Sequence, residues 1–100
     1  MKNFRTYKLS VEFYRACEKL KLPHHLKDQM ARASSSISLN LSEGYGRMLF
    51  KDKRRFYIQA MGSLRECQSI LELNQTQDEI ILKLSDHLGA SLYKLCTWAP

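Results

Sequence analysis

Apolar side chains recur at intervals of three and four residues along four segments of this chain of 100 residues. This is the spacing of one face of an α-helix, which has 3.6 residues per turn. No segment alternates apolar and polar residues with the period of two that a half-buried strand requires. The four glycines and two prolines are also too few for a turn-rich β-sandwich. The periodicity therefore predicts an all-α fold.

The ends of the four predicted helices follow from residues that interrupt or cap a helix. Pro23 ends the first segment because proline disfavours helical geometry in the residue before it, and Gly44 ends the second. Thr76 or Asp78 is expected to cap the fourth. Helices of about 17 to 23 residues joined by short turns favour an antiparallel, up-down four-helix bundle, a single domain over residues 1–100. The four predicted core stripes are Leu9, Phe13, Ala16, Cys17 and Leu20; Leu26, Met30, Ala33, Ile37 and Leu41; Phe56, Ala60, Leu64, Cys67 and Leu71; and Ile81, Leu84, Leu88, Leu92 and Leu95.

Two stretches inside these helices have an unusual composition. Four serines between positions 34 and 38 resemble a loop, but the apolar stripe continues through them. We therefore predict helix there, with serine hydroxyls bonded to carbonyls one turn earlier. Gly62 lowers the helix propensity of the third segment by about 1 kcal/mol, and a tight crossing with another helix is the expected reason for its presence.

The net charge of +6 is unevenly distributed along the chain. Residues 1–55 hold 13 of the 16 Lys and Arg residues but only 5 of the 10 acidic residues, whereas residues 56–100 carry a net charge of −2. The first half therefore carries a concentration of positive charge that suits an anionic partner. A solvated basic surface without a partner is the alternative.

Several features predict a cytoplasmic protein without a metal or cofactor. No apolar run approaches the ~20 residues that span a bilayer, and no apolar region of a signal peptide follows the basic N-terminus. Cys17, Cys67 and Cys96 lie in helical patterns without CxxC spacing, so we expect buried, reduced thiols. His24 and His25, being adjacent, point about 100° apart on a helix and cannot readily chelate one ion together.

The predicted end of the second helix, residues 40–47, contains two glycines and a pair of oppositely charged residues. Its sequence is Asn-Leu-Ser-Glu-Gly-Tyr-Gly-Arg. Glycines can turn a helix end through positive φ. Glu43 and Arg47 allow two interpretations: a structural ion pair that also holds Arg32, or Arg47 contacting phosphate while Glu43 orients it. Asn40 is expected to cap the exposed carbonyls or the turn. The predicted structural corner consists of Arg32, Asn40, Glu43, Gly44 and Gly46.

The densest basic cluster begins at this corner and alternates with aromatic residues. Phosphate contacts need exposed cations, and aromatic faces can stack on unpaired bases. Against this, Phe56 lies on a predicted core stripe, and cations in the first turn of a helix oppose its dipole. Nucleic-acid binding, a solvated surface and a protein partner all stay open. The cluster consists of Arg47, Lys51, Lys53, Arg54 and Arg55, with Tyr45, Phe50, Phe56 and Tyr57 between them.

Four more aromatic residues, Phe4, Tyr7, Tyr14 and Trp98, lie largely off the main stripes or at the ends of the chain. Exposed aromatic side chains often mark an interface. In a symmetric ring, each subunit would offer one surface to a different surface of its neighbour. Ordinary core packing is an equal alternative for Tyr14.

Three spaced motifs resemble the signature of the 23S rRNA-intervening sequence proteins. They are Arg-Ala-Ser-Ser-Ser-Ile at 32–37, residues 40–47, and Phe56 followed by Ala-Met-Gly-Ser-Leu-Arg-Glu at 60–66. The resemblance implies a small bacterial four-helix bundle that assembles as a homopentamer with a central opening and has no established catalytic activity. The family is similar in structure to the accessory variability determinant proteins of diversity-generating retroelements. Those proteins are basic pentamers that bind nucleic acid and a reverse transcriptase.

Together, the charge and the resemblance predict a non-enzymatic, oligomeric module that binds nucleic acid, with RNA as the first candidate. Charge and shape are expected to govern binding because nothing resembles a base-reading motif. The alternative is a protein-interaction scaffold or an accessory subunit for a reverse transcriptase or RNA-processing enzyme. No catalytic residue is predicted, because the clustered carboxylates of a metal-dependent nuclease and the general base of a serine nucleophile are both missing from the sequence pattern.

Overall fold

The computed structural model of the chain describes residues 4–97, and Trp98 with its expected interface role lies outside them. Each of the four helices packs against the next in sequence, and the fourth packs against the first, in a bundle of 40 × 22 × 22 Å. This confirms the predicted all-α, antiparallel four-helix bundle. Within the described part, no helix is both long and apolar enough to cross a bilayer. The helices are α1 (Arg5–Glu18), α2 (His24–Tyr45), α3 (Phe50–Leu73) and α4 (Glu79–Thr97).

The core contains the predicted stripes of α2 and α4 almost unchanged. On α2, the side chains from Met30 to Leu41 that carry the stripe are buried, and Leu26 packs partly against them. On α4, Leu84 and Leu95 are partly buried beside fully buried neighbours. A stripe with regular steps of three and four was therefore a sufficient guide for these two helices. The buried stripe residues of these two helices are Met30, Ala33, Ile37, Leu41, Ile81, Leu88 and Leu92.

Polar side chains complete the buried face of α1, which begins earlier than its predicted stripe. Thr6 and Ser10 are both buried. The Thr6 hydroxyl is 2.5 Å from that of Ser91 on α4, and Ser10 donates a hydrogen bond of 2.6 Å to the carbonyl of Tyr7. Paired hydroxyls can be buried at little net cost. Apolar periodicity therefore missed the first turn of this helix and the burial of Ser10.

The start and the buried face of α3 differ from the prediction. This helix begins at Phe50, before the basic cluster rather than after it. The prediction that Phe56 belongs to the core stripe is wrong, because Tyr57 is buried and Phe56 is only partly so. Ala60 lies three residues after one aromatic and four after the other, and both steps fit a helical stripe. Spacing alone therefore could not choose between them.

The serine run in α2 is helical, as predicted. Ser34 donates to the carbonyl of Met30 at 2.7 Å, and Ser35 donates to the carbonyl of Arg32 at 3.1 Å. These bonds return each hydroxyl to the preceding turn of the same helix. The run is therefore a helix with short side chains and not a connecting loop.

Gly62 does not mark a tight helix crossing within the subunit. A Cβ added there would have no atom within 4 Å, so the expected explanation for this glycine is wrong for the isolated chain. The next residue, Ser63, does contact α2, where its hydroxyl donates to that of Ser36 at 2.9 Å. Gly62 is instead exposed on the outer face of α3.

Asp78 caps the N-terminus of α4, which confirms one of the two predicted caps. Its Oδ1 accepts hydrogen bonds from the backbone N–H groups of Ile80 at 3.0 Å and Ile81 at 3.3 Å. These two donors would otherwise lack a partner in the first turn. The Thr76 hydroxyl instead accepts a hydrogen bond from the amide of Asn74 at 3.0 Å.

The three cysteines are buried and reduced, as expected. Burial raises the pKa of the Cys17 thiol to about 12. Burial also raises the pKa of Cys67 and Cys96, and in Cys96 the nearby guanidinium of Arg54 partly opposes the rise. Because the thiolate is the reactive form, these side chains behave as small apolar core residues near neutral pH.

Candidate nucleic-acid interface

The antiparallel topology gathers four helix ends at one end of the bundle. The start of α1, the end of α2, the start of α3 and the end of α4 lie there. The guanidinium Nε of Arg54 donates to the carbonyl of Cys96 at 2.7 Å, which joins α3 to α4. The ring of Phe4, just before α1, stacks on that of Tyr45 with centroids 4.9 Å apart. We call this region, residues 4–11, 43–56 and 91–97, the basic end.

The basic end carries most of the net charge of the protein. It contains eight Lys and Arg residues against two acidic residues, whereas the opposite end, residues 15–30 and 68–83, contains five of each. The asymmetry between the two halves of the sequence is thus an asymmetry along the bundle axis. The eight cations are Arg5, Lys8, Arg47, Lys51, Lys53, Arg54, Arg55 and Lys94.

Sequence reasoning missed three of these cations, Arg5, Lys8 and Lys94. They lie far from the predicted cluster along the chain, and the fold brings them to the same end. Arg5 and Lys94 also line one groove of about 250 Å³ between α1 and α4, together with His87. The signal that could have found them was the predicted up-down topology, which places the first and last helix ends beside the turn between α2 and α3.

The corner between α2 and α3 depends on Gly44. A Cβ added there would lie 2.8 Å from Cε1 of Tyr57, 3.0 Å from Cβ of Phe56 and 3.1 Å from the carbonyl oxygen of Lys53. Neither Gly44 nor Gly46 has a positive φ, so the prediction of a left-handed helix end is wrong. Gly44 is needed because the α2 backbone approaches α3 closely.

Glu43 and Arg47 form the ion pair that their spacing suggested. Nη2 of Arg47 lies 3.5 Å from Oε2 of Glu43, and both side chains are about half exposed. The guanidinium of Arg47 also lies over the ring of Phe56, 4.8 Å from its centroid. An exposed pair contributes only ~0–1 kcal/mol to stability. The pair and the ring together hold Arg47 at the surface of the basic end.

The structure does not bring Arg32 and Asn40 into this corner. Arg32 is exposed on α2, roughly three turns and 16 Å along the axis before Glu43. That distance places it out of reach of the ion pair. Asn40 caps neither the helix end nor the turn, because its amide donates within α2 to the carbonyl of Ser36 at 2.9 Å and to the Ser36 hydroxyl at 3.1 Å. The observed corner consists of Glu43, Gly44, Gly46 and Arg47.

Two cations of the predicted cluster donate hydrogen bonds to backbone carbonyls within the subunit. Nζ of Lys53 donates to the carbonyl of Tyr45 at 2.9 Å and lies 5.6 Å from the centroid of that ring. Arg54 donates to Cys96 in the last turn of α4, where a cation complements the negative end of the helix dipole. These side chains add positive charge to the basic end, but their positions are set by structural contacts.

Lys51, Arg55 and Lys94 are the cations most available to a ligand. All three are exposed, and none has an acidic side chain within ion-pair distance among the described residues. The guanidinium of Arg55 lies over the ring of Phe56, 5.8 Å from its centroid. A phosphate group could be bound here without breaking an existing ion pair.

The aromatic residues of the cluster are less available for stacking than their sequence positions suggested. Tyr57 is buried, and burial raises the pKa of its hydroxyl. Phe4, one of the expected interface residues, covers Tyr45 within the subunit, and Arg47 covers Phe56. The surface therefore presents more exposed cations than uncovered aromatic faces.

The described residues do not form a metal site. Within 4–97, no three His, Cys, Asp or Glu side chains are grouped so as to hold an ion. Nε2 of His24 lies 3.8 Å from the carboxylate of Asp28 on the exposed first turns of α2. This is a surface contact between neighbouring turns of one helix.

One known family matches the chain. A family model described as 23S rRNA-intervening sequence protein covers residues 3–97. The match includes all three motifs and confirms the resemblance seen in the sequence. No curated protein and no solved structure matches the chain. The relation to the accessory variability determinant proteins stays a prediction.

Proposed function

This chain belongs to the 23S rRNA-intervening sequence protein family, and we propose that it works as a non-enzymatic, oligomeric module that binds the phosphate backbone of nucleic acid, first of all RNA. The single observation that carries this proposal is the gathering of eight cations from four helix ends at one end of the bundle. Only two acidic residues oppose them there. Such a field attracts a polyanion and accelerates its association at low salt.

The available cations act as the direct phosphate contacts. Lys51, Arg55 and Lys94 can each neutralise a phosphate and release its condensed counterions. Arg47 offers a planar guanidinium held near the surface, which suits paired hydrogen bonds to phosphate oxygens. Lys53 and Arg54, which make hydrogen bonds within the subunit, attract the nucleic acid electrostatically without direct contact. Charges within about 8 Å are only partly screened at physiological ionic strength.

We propose self-association through the outer face of α3. Ile58 is exposed, Met61 is partly exposed, and the space beside Gly62 is open. These positions share one helix face because they are three and four residues apart. Exposed apolar side chains beside an open position suit a contact with a second copy. The assembly implied by the resemblance is a homopentamer, in which a closed ring repeats the basic end around one axis.

Fluorescence anisotropy over a salt series tests the nucleic-acid proposal. Labelled fragments of large-subunit rRNA, RNA of random sequence and DNA are titrated with the protein. If about five phosphates are neutralised, the log–log salt slope is about −3.5 for single strands and −4.5 for duplex DNA. Similar affinities for rRNA and random RNA are expected because phosphate contacts carry no sequence information.

A titration without binding would distinguish the proposal from its alternative. Absence of binding even at low salt contradicts the proposal and favours the scaffold or accessory-subunit alternative. The non-enzymatic part is tested by incubation with labelled RNA and Mg²⁺. Cleavage above background that Glu43→Gln abolishes would contradict it.

A further inference from the structure

The loop between α2 and α3 presents two adjacent apolar side chains at the basic end. Met48 is 95% exposed and Leu49 is 59% exposed. Scattered exposed apolar residues are normal on a protein surface. Here, however, two such residues lie side by side among the most concentrated cations of the molecule. Unlike the Lys and Arg side chains around them, these two apolar side chains cannot contact a phosphate favourably.

The backbone on both sides of this pair is hydrogen-bonded to a helix. The N–H of Arg47 donates to the carbonyl of Gly44 at 3.1 Å. The carbonyl of Leu49 accepts from the N–H groups of Asp52 and Lys53, each at 3.1 Å. The loop is thus a short connection between two helix ends, and its side chains project from a defined support. Little additional backbone ordering is needed when they contact a ligand.

Cations flank the two apolar side chains along the chain. Arg47 precedes Met48, and Lys51 follows Leu49 after one residue, with Arg55 one turn further along α3. Cations that contact phosphates on either side of this pair would bring its exposed apolar side chains close to the bases between those phosphates. Proteins that kink DNA from its minor groove insert side chains such as Met and Leu between base steps.

We propose that Met48 and Leu49 form an apolar wedge that enters an opened base step while the flanking cations hold the adjacent phosphates. This inference rests on the proposed function and specifies its substrate as RNA with a bulge or another interruption of stacking. Unstacking an intact step costs a few kcal/mol. A step that is already open avoids part of that cost, so the wedge converts a general affinity for phosphate into a preference for interrupted helices.

A base step fits this pair better than a lipid surface does. Interfacial membrane anchors bury the apolar face of an amphipathic helix. The loop offers Met48 and Leu49, followed by the partly buried Phe50, and it does not present the long apolar face of an amphipathic helix. A wedge of two side chains has the size of an inserted group at a single base step.

Two RNA duplexes test the wedge, one continuous and one with a two-nucleotide bulge beside a 2-aminopurine. Wild-type protein is expected to bind the bulged duplex about tenfold more tightly, a difference of about 1.4 kcal/mol, and to change the 2-aminopurine fluorescence. The Met48→Ser, Leu49→Ser double variant should lose both effects and keep the salt slope. The matched control is Leu73→Ser with Ile80→Ser, because these side chains are 73% and 72% exposed at the opposite end. It should behave as wild type.

Each other outcome separates the wedge from the proposed function. Salt-sensitive binding with equal affinity for both duplexes overturns the wedge alone. Absence of binding to either duplex at low salt overturns both proposals. Equal affinity for the duplexes, combined with binding to anionic phospholipid vesicles that the Met48→Ser, Leu49→Ser variant abolishes, assigns the loop to a lipid surface instead.

Discussion

The α2 backbone at Gly44 lies against the ring of Tyr57, so that a Cβ on the glycine would be 2.8 Å from Cε1 of the tyrosine. This contact is where α2 and α3 converge at the basic end. It places Arg47, just beyond the end of α2, within 4.8 Å of the Phe56 ring centroid. The position of Arg47, a candidate phosphate-binding residue, therefore depends on Gly44, although the glycine has no side chain to contact phosphate.

We expect Gly44→Ala to lower the free energy of unfolding by about 1–3 kcal/mol, because the added methyl group overpacks this contact. Gly89→Ala is the matched control, since a Cβ there would lie at an ordinary 3.6 Å from Cδ2 of Leu64. It should raise the free energy of unfolding by up to about 1 kcal/mol through helix propensity. Urea denaturation followed by circular dichroism, at equal protein concentration, compares them. Equal effects of the two changes would show that the close approach is absent.

Substitutions of Arg54 and Lys51 should have different effects, the first on the stability of the fold and the second on RNA binding. Arg54→Ala removes the 2.7 Å hydrogen bond to the carbonyl of Cys96 and should lower the free energy of unfolding by about 1–2 kcal/mol. Lys51→Ala removes an exposed cation, so it should leave stability within about 0.5 kcal/mol and reduce the salt slope of RNA binding by about 0.7–0.9. Denaturation and anisotropy on both variants check this. A larger loss of stability in Lys51→Ala than in Arg54→Ala would contradict the assignment.

The buried thiols should be unreactive in the folded protein. Because burial raises the pKa of Cys17 from its ordinary value of 9.0 to about 12, the folded state retains a proton that the unfolded state loses above pH 9. The stability from this group is therefore complete below pH 9 and is lost as the pH rises towards 12. Disulfide reagents at pH 8 should modify the native protein only as fast as it opens. Rapid modification of Cys17 or Cys67 without denaturant would show that they are accessible.

Self-association should depend on the outer face of α3. Ile58→Glu puts a charge beside the open space at Gly62, and burying an unpaired charge in an interface is unfavourable. We expect it to shift the mass measured by light scattering from the oligomer to the monomer. Ile80→Glu, on the exposed first turn of α4, serves as the control and should leave the mass unchanged. An oligomer that survives Ile58→Glu would exclude this face, and a monomeric wild-type protein would contradict self-association altogether.

The sequence predicted the fold where a helix buries an uninterrupted apolar stripe. Ile37, Leu41 and Leu88 were identified from spacing alone, because a completely buried helix face has one periodic solution. Spacing failed for Thr6 and Ser10, whose hydroxyls pair with those of Ser91 on α4 and Ser38 on α2. These hydrogen bonds join different helices, so they cannot be predicted from the local sequence pattern.

The candidate site was predicted only in part for a similar reason. The Glu43–Arg47 pair is local, lying four residues apart on one turn, and its presence followed from the sequence. Lys94 lies at the same end of the bundle only because α4 runs antiparallel to α3. The reason for Gly44 was also tertiary, since the ring that excludes a Cβ belongs to another helix. Motif reading therefore located the corner and missed three of the eight cations at this end of the bundle.

Two triple variants of equal net charge test whether the basic end binds RNA through its available cations. One carries Lys51→Ala, Arg55→Ala and Lys94→Ala; the other carries Lys19→Ala, Lys21→Ala and Lys27→Ala at the opposite end, where these side chains are exposed. Anisotropy across a salt series should give a slope reduced by about 2–2.7 in the first variant only. Equal losses in the two variants, or a loss only in the second, would contradict the claim.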